Sequence, residues 1–276
     1  MAITAAEVNK LRQITGSGMM DCKNALVEAE GDIEKAIDIL RKKGQKVAAK
    51  RADRSANEGY VIAKTSQDGT YGAVLMLNCE TDFVGKTTDF VDCAESIINI
   101  AVANQVKELQ QLLDSKIEGQ TVSDMLTNMT GKTGEKIELN QFEIMEKPFV
   151  AAYNHNGNRL ATIVGFNKKL ASLETAGKEI AMQIAAMSPI SVDEKNVPQS
   201  VIDRELDIAR EQIRNEGKPD EMVEKIAQGK LNKFFKESTL LHQEFIRDSK
   251  KTVAQYIKEI DAELLVEGFY RLRLGE

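Results

Sequence analysis

"GYVIAKTSQDGTYGAVLMLNCETDFVGKT", residues 59–87, contains the turn on which the reading of the fold depends. Asp68-Gly69 sits between two β-prone runs, and this is a strong hairpin signal because glycine accepts the positive φ that a tight turn demands. Strand, turn, strand is the prediction. The second strand runs directly into "CETDFVGKT", Cys79 to Thr87, and beyond it Phe90, Ala94, Ile97, Ile98 and Ala101 recur at helical spacing. The unit is therefore a hairpin whose second strand feeds a helix packed on the sheet.

The pattern recurs later in the chain. "FVAAYNHNGNRLATIVGFN", 149–167, places Asn156-Gly157 between two more β-prone runs, and Ile180, Ile184 and Met187 follow on one helical face. Between the two hairpins, 121–134 reads as a helix through Val122, Met125, Leu126 and Met129, and "KIELNQFEIME" alternates as a strand. The expectation is an α+β fold: a core of two similar α+β units, each a sheet with helices to one side. Past Pro189, Ile202, Leu206, Ala209 and Ile213 step at helical spacing, Gly217 and Pro219 mark a reversal, and Val223, Ile226, Leu231 and Phe234 form a second apolar edge. That is an antiparallel helical hairpin with a narrow apolar seam, read as a coiled coil packing mainly on itself. A helix over 252–259 and a last strand, "LLVEGFYRLRL", rejoin the second sheet.

Ahead of the core, Thr4 and Glu7 have capping-box spacing, and Val8, Leu11 and Ile14 supply an inner face. A second helix carries Met19, Cys22, Leu26 and Ala29, and a third carries Ile33, Ala36, Ile37 and Leu40, with Gly44 read as its end. Neighbouring helical positions point roughly 100° apart, so Met19 and Met20 cannot both face this core. The stripe through Cys22 selects Met19 and leaves Met20 near the surface beside Lys23. There Met20 is either a peripheral core residue or a flexible contact for another protein. "KKGQKVAAKRADR", 42–54, is a basic linker or solvated helix, with contact to RNA as the alternative. The resulting partition is 1–55, three helices and a linker; 56–140, the first core unit; and 141–276, the second, with the hairpin at about 193–237.

Composition narrows the function. The 276 residues include 37 Lys and Arg against 43 Asp and Glu, a formal charge of −6, which disfavours nucleic acid as the primary ligand. Three cysteines without a CxxC pair and only two histidines argue against a zinc-type site, and reduced, core-filling thiols are expected. Neither a signal sequence nor a membrane-spanning run is visible, so a cytoplasmic location with no membrane association is expected. Gly85-Lys86-Thr87 and Gly131-Lys132-Thr133 resemble the end of a phosphate loop, but the glycine such a loop needs upstream is replaced by Glu80 and Leu126. A carboxylate there repels phosphate. No nucleophile, base and orienting acid stand in a recognisable pattern, so neither a catalytic residue nor a cofactor is expected. For Asp82 and Phe83 two readings remain. Either Asp82 caps a helical turn and Phe83 tucks beneath the next helix, or the strand-to-helix corner presents both to a partner.

"LRQITGSGMMDCKNAL" (11–26), "GDIEKAI", "KVAAKRADR", "NCETDFVGK" and "GKPDEMVEKIAQGKLNKF" closely resemble the bacterial translation elongation factor Ts family. The resemblance spans essentially the whole chain. It implies a ubiquitin-associated-type helical domain, two similar subdomains and an inserted coiled-coil hairpin. It also implies a guanine nucleotide exchange factor for elongation factor Tu, without enzymatic chemistry or stable nucleotide binding of its own. The loop Thr81, Asp82, Phe83 and Val84 would intrude beside the partner's magnesium and phosphate site with Phe83 as the wedge. Arg12, Met19, Met20 and Lys23 would hold the partner's nucleotide-binding domain, and the loop around His155 would approach another of its domains. A homodimer or a two-to-two complex stays open. Where some members continue into a further helical module, this sequence reads "RLRLGE", so the contact that module makes is expected to be either absent or made otherwise. The rival readings are an RNA-associated protein using 42–54 and a phosphate-using enzyme built on the Gly-Lys-Thr triplets.

Overall fold

The structure is a computed structural model and describes residues 3–276. Three helices come first: α1 (Ala5–Thr15), α2 (Met19–Glu28) and α3 (Ile33–Arg51). Thr4 and Glu7 close a capping box on α1, and the Asp32 carboxylate accepts from the Lys35 amide to start α3. Their shared core consists of Val8, Leu11, Cys22, Ala25, Leu26, Ala29 and Ala36. Ile14 departs from the expected inner face and is 55% exposed. It lies in the last turn of α1, where helical periodicity continues but the packed neighbours do not.

Gly44 does not end the third helix. The helix runs to Arg51 and crosses α7 (Val122–Thr133), and Gly44 is buried at that crossing. A Cβ built on Gly131 would lie 2.8 Å from the Gly44 Cα, and one on Gly44 would lie 3.1 Å from the Thr127 carbonyl oxygen. Both positions are glycine because the two backbones touch. The basic run read as a linker or solvated helix is thus helical as far as Arg51, with one face against the core.

The first sheet is built from β1 (Glu58–Thr65), β2 (Tyr71–Cys79) and β5 (Glu138–Glu146), in the order β1-β2-β5 and antiparallel throughout. Between β2 and β5 the chain forms the single-turn α4 (Asp82–Gly85), then α5 (Thr88–Ala103), α6 (Leu109–Asp114), a short β3 (Lys116–Ile117) and β4 (Gln120–Thr121) ladder, and α7. The second sheet has the order β10-β7-β6, from β6 (Phe149–Asn154), β7 (Leu160–Phe166) and β10 (Val266–Arg273). Its excursion contains α8 (Leu173–Met187), α9 (Gln199–Asn215), α10 (Asp220–Ser238), β8 (Glu244–Phe245), β9 (Asp248–Thr252) and α11 (Val253–Ile260). In each sheet the second hairpin strand is central, and the strand that follows the excursion pairs with it.

All nine residues of β2 are buried. Alternate side chains divide between two cores: Tyr71, Ala73, Leu75 and Leu77 pack with Phe90, Ile97 and Ile98 of α5, whereas Val74 and Met76 meet Val150, Ala161 and Ile163 of the other sheet. The layers therefore run helix, sheet, sheet, helix. α8, through Ile180 and Ile184, and α11, through Val253 and Ile257, close the far side over Val164 and Phe166. Met187, predicted on that inner face, is 45% exposed because it occupies the last turn of α8. Side-chain bonds join the sheets at their edge: Asn154 accepts from the Ala63 amide (2.7 Å) and donates to its carbonyl (2.9 Å).

α9 and α10 pack on each other through Ala209, Ile213, Val223 and Ala227, with Leu206 and Ile226 beside them. The reversal is made by Gly217 at φ 73°, and Pro219 precedes α10. Arg210 clamps Glu224 across the pair with two bonds, 3.0 and 2.9 Å.

Two measurements probe these packing statements. Gly131→Ala should destabilise the protein by about 1–2 kcal/mol, because overpacking the helix crossing outweighs the helix-propensity gain. The same change at Gly229, where a Cβ would meet nothing within 4 Å, should stabilise by about 0.5–1 kcal/mol; urea unfolding midpoints of opposite sign check the pair. At the β1–β2 turn, bonds from Ser66 and then Thr70 lower the Asp68 carboxyl from 3.8 to about 2. A lowered folded-state value means stability that is complete above about pH 4 and disappears as the pH falls through about 2. Asp68→Asn should flatten the stability profile across that window.

Candidate functional site

The corner after β2 is built by a chain of short contacts. Cys79, the last residue of β2, is fully buried; burial, helped by Glu135 and Glu58, pushes its thiol up to about 12. It is an inert packing group whose Sγ donates to the Thr81 carbonyl oxygen at 3.0 Å. Thr81 then caps α4, its hydroxyl oxygen accepting from the Val84 amide at 3.4 Å. Asp82 is the first residue of the turn rather than its cap, and its carboxylate accepts from Lys86 at 2.6 Å. That bond holds the Asp82 carboxyl below the usual range, so it is charged at neutral pH.

Consecutive residues of this turn point in different directions. Val84 packs against the first core while Phe83 is 83% exposed. Phe83 therefore does not tuck beneath α5, whose apolar face is filled by Phe90, Ala94, Ile97 and Ile98. The other end of the turn sits flush on β1: a Cβ on Gly85 would come within 3.4 Å of Gly59, which itself holds φ at 146°. Gly85-Lys86-Thr87 is thus a packing contact, an ion-pair partner and the residue before α5, with no ring of free amides for phosphate.

Two carboxylates hold the corner from behind. Glu80 accepts from the Lys136 amide at 2.8 Å and from Arg51 at 2.8 and 2.9 Å, and Arg54 lies 4.0 Å away. The Lys136 amide, then Arg51, keep the Glu80 carboxyl below its ordinary range. Glu135 accepts from the Thr81 amide at 3.0 Å and from its hydroxyl at 2.6 Å.

His155 is exposed on the β6–β7 turn, 3.0 Å from the Tyr153 hydroxyl. Three residues on, Asn158 donates its position to the first sheet, its carbonyl accepting from the Val61 amide at 2.7 Å. Arg159 pairs with Glu58 and, with Asp82, Tyr60 and Asn158, lines a groove of about 270 Å³ beside α4. Hence the second hairpin turn and the Asp82 corner lie side by side, although they are far apart in the chain.

The helical unit presents the rest. Arg12, Met19, Met20 and Lys23 are all exposed. Met20 is 62% exposed and Met19 48%, so the assignment of Met19 to the small core is corrected. Met19 is the first residue of α2, and helical side chains lean toward the N-terminus, which carries it past the end of the packed stripe. Ile14, on the other side of the Gly16–Gly18 break in the chain, is likewise exposed. Of the basic run, Lys43 pairs with Asp21 and Arg51 with Glu80, which removes two of its cations from any polyanion surface.

Arg51, Glu80, Glu135 and Arg159 were not visible as site residues from sequence. Glu80 stood out only as a carboxylate where a phosphate loop needs glycine, and its partners lie in distant segments. Among the described residues no cluster of His, Cys, Asp and Glu could hold a metal, and no helix is long and apolar enough to cross a membrane.

Comparison with known proteins gives a consistent result. A family model described as "Elongation factor TS" matches residues 80–276, beginning at Glu80 of the corner. The protein named "Elongation factor Ts" from Christiangramia forsetii is 52% identical, with 99% of each chain covered. Its namesake from Flavobacterium psychrophilum is 51% identical, again over 99% of each, and that from Amoebophilus asiaticus is 50% identical over 100% of each. With a matching family model over most of its length and relatives that align from end to end, the chain belongs to the elongation factor Ts family.

Proposed function

We propose that this protein is a guanine nucleotide exchange factor that binds elongation factor Tu in translation elongation and promotes GDP release by disturbing the partner's magnesium and phosphate site. The observation that carries the reading is the exposed Phe83 ring on a turn whose base is anchored to the core. A GTPase holds its nucleotide through phosphate-loop amides, a lysine and Mg²⁺ together. A side chain that displaces one element of that set weakens all of it. Fully burying a phenylalanine supplies about 1.5–3 kcal/mol, enough for a local shift and too little to expel a tightly held nucleotide alone. The remaining work falls to a broad interface, with Asp82 beside the ring, Thr81 and Val84 shaping the turn, and His155 on the neighbouring hairpin.

On this reading the three-helix unit, 1–55 with its extension along α3, is a ubiquitin-associated-like docking module. Arg12, Met19, Met20 and Lys23 form its contact face. Methionines suit such a face because they adapt to the partner's contour. The first core unit, expected over 56–140, extends to Glu146 because β5 completes its sheet, and the second begins with β6; the two are duplicated subdomains that carry the corner and the second hairpin, and 193–237 is an inserted coiled coil. The protein performs no bond chemistry. Linkage requires that nucleotide weaken the factor's grip by the same ratio as the factor weakens nucleotide binding, which makes the exchange reversible.

The test is release of fluorescent GDP from elongation factor Tu as a function of factor concentration. The wild-type chain should accelerate it strongly. Phe83→Ala should lower the maximal rate about tenfold or more, as loss of about 1.5 kcal/mol or more requires, and Lys23→Ala should raise the half-saturating concentration by roughly two- to fivefold. No acceleration at saturating wild-type protein would falsify the assignment.

A further inference from the structure

Glu80 and Glu135 face each other across one seam, and each caps the backbone of the other's segment. Glu80 takes the Lys136 amide, whereas Glu135 takes the Thr81 amide and hydroxyl. The second of these bonds decides what Thr81 can do. With its proton committed to Glu135 at 2.6 Å, the hydroxyl oxygen keeps its lone pairs for the Val84 amide at 3.4 Å, so the cap of the Phe83 turn is oriented from outside the turn. Charge-assisted bonds of this kind are stronger and more directional than neutral ones.

Both supports come from one pair of helices. Arg51 is the last residue of α3, and Glu135 follows the left-handed Gly134 that ends α7. These are the two helices whose backbones touch at Gly44 and Gly131. The crossing therefore sets the spacing between the cation that holds Glu80 and the carboxylate that holds Thr81.

We propose that Arg51, Glu80 and Glu135 are positioning residues that hold the Asp82–Phe83 turn in its presented form before a partner arrives, with the α3–α7 crossing as their frame. The proposal rests on the reading of Phe83 as the invading side chain. None of the three needs to touch the partner. An unclamped turn would spend part of its time with the ring folded onto the protein's own apolar surface, and the effective activity would fall by the fraction no longer presented.

The experiment uses the full chain in two assays with Glu135→Ala, Glu135→Gln, Glu80→Ala, Phe83→Ala and the Glu135→Ala/Phe83→Ala double variant. In the isolated protein, amide hydrogen exchange at Thr81 and Val84 should speed up about tenfold or more in Glu135→Ala and less in Glu135→Gln, with Leu75 and Leu77 of β2 unchanged. In the GDP-release assay, Glu135→Ala should lower the maximal rate by about tenfold, and the double variant should be no slower than Phe83→Ala alone, since the carboxylate acts through the ring. Unchanged protection at Thr81 and Val84 overturns the proposal. So does a double variant slowed by the product of the two single effects, or a loosened turn with an unaltered maximal rate. If Glu135→Ala also loosens β2, the same comparisons are read from Glu135→Gln and Glu80→Ala. Failure of the wild-type chain to release GDP would remove the functional reading, while hydrogen exchange would still decide whether the clamp orders the turn.

Discussion

A strand covered on both faces governs what this molecule can present. β2 gives Leu75 and Leu77 to the helices on one side and Val74 and Met76 to the second sheet on the other. Such a strand cannot slip by one residue, because a slip would exchange the two sets of side chains between cores of different shape. Its end is therefore placed as firmly as its middle. The corner that starts at Glu80 inherits that placement within one or two residues of a fully buried Cys79.

The exposed aromatic has to be understood against that rigidity. Leaving a phenylalanine ring in water forgoes about 1.5–3 kcal/mol of burial, and the inward position of this segment is filled instead by Phe90 of α5, which is fully buried. The chain offsets this locally with a capped turn, a charged pair at Asp82 and Lys86, and a glycine contact on β1. Two backbone-to-backbone approaches fix the helical unit and the turn: Gly44 on Gly131 ties α3 to α7, and Gly85 on Gly59 ties the turn to β1. The helical unit and the corner are thus held by one framework, through α3 and its Arg51–Glu80 contact.

Where sequence reasoning failed, it failed in a consistent way. Ile14, Met19 and Met187 all lie on apolar stripes, and all three lie in a terminal turn where the stripe outruns its packing partner. Periodicity reports a direction and carries no information about where the neighbour stops. Gly44 was misread for a related reason: a glycine after three cations fits a helix end, and only the presence of α7 against it explains why the helix continues.

The sequence by itself determined the local elements. Asp68-Gly69 and Asn156-Gly157 mark the two hairpins, the Thr4 and Asp32 caps start their helices, and the stripe from Phe90 to Ala101 selects a buried face, because each depends on residues only a few positions apart. The motifs at 11–26 and 78–86 also carried the family. Tertiary structure alone decided that the two sheets pack face to face, that Phe83 rather than Val84 points outward, and that Glu80 and Glu135 grip each other's segments. Those outcomes depend on pairs such as Arg51 with Glu80 and Thr81 with Glu135. Such pairs are distant in the chain and are brought together only when both cores close, so no local pattern could have encoded them legibly.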